Sequence, residues 1–223
     1  MTRLDVTSKN SLLVEASLKR LRGLMLFPIL ALAFCASAPE APSQASRQIQ
    51  FDSSENSARV FVEDAHVKAA TDSNGVAHAA GVRRATDDDD GASNVMASDG
   101  SSLLVSLDKW RSAEGTATIT PTDGGSDRVK VSFKHLIAFG EYSMFVVDLT
   151  DPDASALRAL DGDGSRNSFQ AAVDGTATLT VTTDKQLTQG EAIALIYHSD
   201  DTEHGPSPGQ LFIDAHQQLI ARV

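Results

Sequence analysis

Cysteine is nearly absent from this chain of 223 residues: Cys35 is the only one. No disulfide framework can staple the fold, which small exported domains often use in place of a large core. Aromatics are also scarce, with one Trp and two Tyr, too few for a broad stacking surface for bases or sugars. Positive charge is short: 19 Lys/Arg stand against 30 Asp/Glu, a net charge of −11. Such a surface repels nucleic acid and anionic lipid, so neither is an expected partner. The fingerprints G-x-S-x-G, Walker A and G-x-G-x-x-G are missing as well, which removes the common hydrolase and nucleotide-binding readings.

What is present begins at the N-terminus. Lys19, Arg20 and Arg22 precede the uncharged run GLMLFPILALAFCASA, 16 residues at 23–38 that end in small side chains before Pro39. A basic segment, an apolar segment and a small-residue exit form an export signal. The run is shorter than the roughly 20 residues of a spanning helix, and Pro28 interrupts it. Residues 1–38 are therefore expected to be a signal peptide, with a retained anchor as the alternative. A third fate is lipidation at Cys35, since Leu32-Ala33-Phe34-Cys35 resembles a bacterial lipobox apart from Phe34. Membrane association is expected only through an uncleaved or lipidated N-terminus, and the location is extracytoplasmic: secreted, periplasmic or cell-surface. Residues 1–38 hold five Lys/Arg and two Asp/Glu, so the remainder carries 14 basic against 28 acidic residues, −14 net.

Most of residues 39–100 read as a poorly ordered linker, with a short strand at 58–62 and the start of a short helix at 67–70 as local exceptions. The stretch after Pro39 is rich in Pro, Ala and Ser, and the run Asp87-Asp88-Asp89-Asp90 favours solvated coil by like-charge repulsion. From Ser101 the pattern changes. Strand-type runs at 101–107, 115–120, 128–136, 141–149, 167–173, 175–183, 191–198 and 210–223 alternate with Gly-, Asp- and Pro-containing turns. Val129, Val131 and Phe133 alternate with Lys130, Ser132 and Lys134, the period of a half-buried strand. The segment 157–160 after Asp153 reads as a short helical turn. Residues 101–223 are thus an all-β domain, expected as an antiparallel two-sheet β-sandwich of seven or eight strands.

Leu136 and Tyr142 stand six residues apart at the junction of two such runs. This spacing resembles the tyrosine corner of immunoglobulin-like and fibronectin type III domains, although Ala138 occupies the position where fibronectin domains place Pro. The resemblance covers about 20 residues. It implies an immunoglobulin-like architecture, with the tyrosine hydroxyl bonded back to the backbone, and carries no activity with it.

Two groups of side chains could hold a metal. In the C-terminal third, His198, Asp200, His204 and His216 combine imidazole with carboxylate, a set suited to copper or zinc. If 191–198 and 210–216 form a simple hairpin, His198 and His216 lie at opposite ends, about 20 Å apart along six residues of strand. The loop group His198, Asp200 and His204 needs only a fold-back. The second group is Asp161, Asp163, Ser165 and Asn167, oxygen donors at alternate positions that suit calcium. Arg166 and Ala172 replace the Gly and Glu of an EF-hand, so that motif is excluded. His198-Ser199-Asp200 has the residue types of a nucleophilic triad, but neighbours on a strand end cannot hydrogen-bond in series. No catalytic residue is assigned.

The reading that results is an exported, non-enzymatic β-sandwich, a binding or cell-envelope module for a protein or envelope partner. Its alternative is a secreted metal-binding protein, with copper or zinc at the histidine loop or calcium at the Asp161 loop. A metal-dependent secreted oxidoreductase is the third.

Overall fold

A computed structural model describes residues 45–52, 59–150 and 157–223. The expected signal segment 1–38, with Cys35, lies outside the described residues. Pro42–Val223 forms one compact unit.

The fold is mostly β and antiparallel. One sheet has the order β1 (Arg47–Phe51), β8 (Glu114–Pro121), β9 (Asp127–Lys134), β13 (Ala177–Thr182). A second has the order β11 (Leu157–Ala159), β10 (Glu141–Asp148), β14 (Glu191–His198), β15 (Ala215–Arg222), with β12 (Ser168–Gln170) also on β10. A third, smaller sheet runs β5 (Val82–Arg84), β2 (Phe61–Glu63), β6 (Asn94–Met96), β7 (Ser102–Ser106). The hairpin β3 (Ala70–Thr71) and β4 (Ala77–His78) stands beside these sheets. The helix α1 (Leu107–Arg111) follows β7 directly. Its N-cap Ser106 accepts a hydrogen bond from the Lys109 amide, and its inner face buries Leu107 and Trp110.

Period-2 patterning builds the core. Ala117, Ile119, Val129, Val131, Phe133 and Val181 from the first sheet share one cluster with residues of the second. The latter are Tyr142, Met144, Val146, Ile193, Leu195, Tyr197, Leu219 and Ala221. The other face of the second sheet forms its own cluster from Phe145, Val147, Ala159, Ala194, Ile196 and Ala215. All eight residues of β14 are buried, which explains why EAIALIYH reads as a continuous apolar run and not as an alternation. His198 ends this strand, on the face of Ala194 and Ile196.

Three expectations are corrected. Most of the segment 39–100 was expected to be poorly ordered, yet β1 pairs along its length with β8, and β2, β5 and β6 build the third sheet. These strands have two to five residues, too short for periodicity to register. Polar anchors hold them. Asp89, inside the acidic run, is not part of a solvated coil: it pairs with Arg83 at 2.5 Å and accepts the Thr86 amide at 2.7 Å. Its carboxyl is held well below the usual range, chiefly by the Arg83 hydrogen bond. Second, 157–160 forms no helical turn, because Leu157–Ala159 is strand β11, paired with Val147, Val146 and Phe145. Third, β14 does not pair along the whole of 210–216, and His198 and His216 do not lie at opposite ends of a hairpin. The partner of β14 starts at Ala215, so His198 faces Ala215 and Tyr197 faces His216.

Candidate metal centre

The loop between β14 and β15 folds back on the end of β14. Ser199 N donates to Asp214 O at 2.9 Å, and Gln210 N donates to the Asp214 carboxylate at 2.6 Å. The fold-back brings His198, Asp200 and His204 together, with one ligand atom from each within 4.8 Å of the others. His204 Nε2 lies 3.2 Å from Asp200 Oδ2, and the His198 and His204 ring centroids are 5.2 Å apart.

His198 is the inner member and has no solvent exposure. Its Nε2 lies 2.6 Å from the hydroxyl of Ser143 on the neighbouring strand β10, while its Nδ1 is buried without a hydrogen-bond partner. A buried polar atom left unpaired costs on the order of 1–3 kcal/mol, a cost that a ligand on this nitrogen would relieve. Burial pushes the His198 imidazole down to about 4, and the adjacent His204 adds to the effect, while Asp200 and Asp214 oppose it. The ring is therefore neutral near pH 7, as a metal ligand must be. Outward from it, His204 is partly exposed and Asp200 is exposed. The surroundings are acidic. Burial raises the Glu141 carboxyl, and the charges of Glu203 and Asp201 raise it further.

His216 does not join this group. Its ring lies on the opposite face of the sheet, edge-on to Trp110 at 6.4 Å and tilted against Tyr197 at 6.4 Å. The cause is alternation: Tyr197 pairs with His216 and points into the main core, whereas its neighbour His198 points the other way. His216 Nε2 lies 3.1 Å from the Ile213 carbonyl and 3.1 Å from Ser199 Oγ. The ring N–H directed at the Ile213 carbonyl cannot also take a proton from Ser199, so this contact is no activated nucleophile. His198, Ser199 and Asp200 do not form a relay either, since His198 bonds Ser143 and Asp200 meets His204.

The Asp161 turn uses its oxygens locally. Asp161 accepts from the amides of Gly164 at 2.8 Å and Arg166 at 2.6 Å, and Asp163 accepts from the Ser165 amide at 3.0 Å. Asn167 is buried and donates from Nδ2 to the Met144 carbonyl at 3.1 Å. Of the nearby acids that could add oxygens, Asp148 accepts from the Thr150 amide at 2.9 Å, and Asp151 and Asp153 lie outside the described residues. Ser143 escaped sequence reasoning. Its only signal is a serine set beside the apolar run MFVV.

The chain matches no family model, and no curated protein matches it.

Proposed function

We propose that this chain is an exported, non-enzymatic β-sandwich module that binds a divalent transition metal through His198, Asp200 and His204. One observation carries the proposal: a fully buried histidine nitrogen without a partner, in a side chain that meets two further ligand groups. Two imidazoles and a carboxylate suit zinc or copper, whereas calcium prefers an all-oxygen shell. The acidic rim of Asp201, Glu203 and Glu141 favours cations over anions at the approach. The extracytoplasmic setting, secreted or at the envelope, rests on the basic-apolar-small pattern of 19–38.

The immunoglobulin-like reading is supported in part by the β9–β10 connection. It passes from one sheet to the other, and Ile137 N donates to the Tyr142 hydroxyl at 3.0 Å, as a tyrosine corner requires. Strand order departs from the immunoglobulin arrangement: the second neighbour of β9 is β13, which follows the corner in the chain, where the immunoglobulin order has a strand that precedes it. The likeness we propose is therefore one of sandwich architecture.

Full-length protein purified without chelator should contain zinc or copper near one equivalent, and its melting temperature should fall after EDTA dialysis. His198→Ala and His204→Ala should each abolish stoichiometric binding. Since His204 is partly exposed, its variant reads the site without disturbing the core. Wild-type protein that neither carries nor takes up either ion would refute the metal reading.

A further inference from the structure

The Asp161 turn and the histidine loop, which the sequence presents as separate candidate sites, pack against each other. Gly164 (φ +75°) lies directly on the Gly205–Pro206 peptide: a Cβ there would stand 2.1 Å from the Gly205 carbonyl carbon and 2.2 Å from the Pro206 nitrogen. Next to it, Ser168 Oγ donates to the Glu203 carboxylate. Both contacts flank His204 in sequence, one residue to either side. From beneath, Gly209 (φ +85°) approaches the ring itself, and a Cβ at that position would lie 3.1 Å from His204 Nε2. His204 is thus seated by three contacts, two of them from a turn some 40 residues earlier in the chain.

We infer that the 161–168 turn is a clasp that sets the metal affinity of the histidine loop, with Gly164, Ser168 and Gly209 as positioning residues for His204. The inference rests on the metal-binding reading above. Its physical basis is preorganisation. His198 is fixed by the sheet and by Ser143, but His204 and Asp200 belong to a loop. An ion gains full affinity only if that loop already holds its donors near the buried nitrogen. The clasp supplies this by shape, since only glycine at 164 lets the two backbones meet. Groups that orient metal ligands typically contribute about 10–100-fold in affinity.

A matched pair of substitutions separates the contact from backbone strain. Gly164 and Gly205 both have positive φ (+75° and +62°), but a Cβ at Gly205 meets nothing within 4 Å. Asn tolerates the left-handed region better than other side chains. Zinc titration of full-length protein by calorimetry should show Gly164→Asn weakened by about tenfold or more, while Gly205→Asn stays within about twofold of wild type. Ser168→Ala alters no backbone and should weaken zinc by about threefold or more, with the melting temperature of the metal-free protein unchanged; it decides the matter if Gly164→Asn fails to fold. Wild-type affinity in both Gly164→Asn and Ser168→Ala, or equal losses in Gly164→Asn and Gly205→Asn, would overturn the clasp. Failure of the metal reading looks different, because wild-type protein itself would then bind no zinc.

Discussion

Ser143 and His198 meet across two adjacent strands, with the serine hydroxyl 2.6 Å from Nε2 of the imidazole. Both are fully or almost fully buried, so no water competes for the contact. When Nε2 carries the proton and donates it to Ser143, the lone pair of Nδ1 is free, and this is the tautomer that can ligate through that atom. Ser143→Ala removes the acceptor and lets the proton settle on either nitrogen. Zinc affinity should fall by about 10–100-fold while the β structure, followed by circular dichroism, persists. An unchanged zinc affinity would mean that Ser143 plays no part in orienting the ring.

The Tyr142 hydroxyl joins three elements. It accepts the Ile137 amide at 3.0 Å and donates to Gln218 Oε1 at 3.0 Å, and Gln218 Nε2 in turn donates to the Trp110 carbonyl at 3.0 Å. Tyr142→Phe keeps the ring stacked on Phe169 but strands a partly buried amide and a buried carboxamide oxygen. The expected loss is about 2 kcal/mol, read as a lower urea midpoint at unchanged m-value. A loss below about 0.5 kcal/mol would show that water or a shifted Gln218 takes over.

Arg84 links the third sheet to the histidine loop. Its guanidinium lies 5.3 Å from the Phe61 ring centroid and 4.8 Å from that of Phe212, and it pairs with Asp72. Phe212 sits in the returning arm of the loop, where its carbonyl accepts the Ser98 amide at 2.8 Å. Lysine cannot reproduce the planar stack. Arg84→Lys should therefore cost about 1–2 kcal/mol, and zinc binding should weaken in parallel as the loop loosens. A variant as stable as wild type would reduce the stack to mere proximity.

These contacts also explain where sequence reasoning worked and where it stopped. From Ser101 onward the turns carry Gly or Asp and most strands have five or more residues, so alternation such as Val129-Val131-Phe133 locates them well. Before Ser101 the strands are too short to show a period, and what holds them is side-chain chemistry at a distance, such as Arg84 on Phe212 or Arg83 on Asp64 and Asp89. The grouping of His198 with Asp200 and His204 needed only a loop that returns, and the sequence between them is short and turn-forming. The place of His216 depended on the residue at which β15 begins. A shift of one position in a strand turns a side chain to the other face, and composition does not carry that information.

His216 supplies the last test, through pH. It is fully buried, and burial pushes its imidazole down to about 4, with the Ile213 carbonyl opposing. In the unfolded chain the same ring titrates near 6.5. Above pH 6.5 neither state binds the proton. Between 6.5 and about 4 the unfolded chain takes it up and the folded protein does not, so stability declines as pH falls through this window. Below about 4 the two states bind alike and the penalty stops growing, at roughly 3 kcal/mol. His198 contributes with the same sign in metal-free protein. The carboxylates Asp72, Asp89 and Asp99, held low by hydrogen bonds, titrate beneath the window and do not mask it, whereas Glu141, raised by burial, takes up a proton in the folded state at the acid side of the window and offsets part of the decline. In EDTA, urea unfolding at pH 7, 6 and 5 should show stability dropping on acidification with a slope of between about one and two protons. His216→Gln should remove about one of them, or roughly 1.4 kcal/mol per pH unit. An identical slope in the variant would mean that His216 gains its proton without leaving the folded state, and that its burial costs far less than the packing around Trp110 and Tyr197 implies.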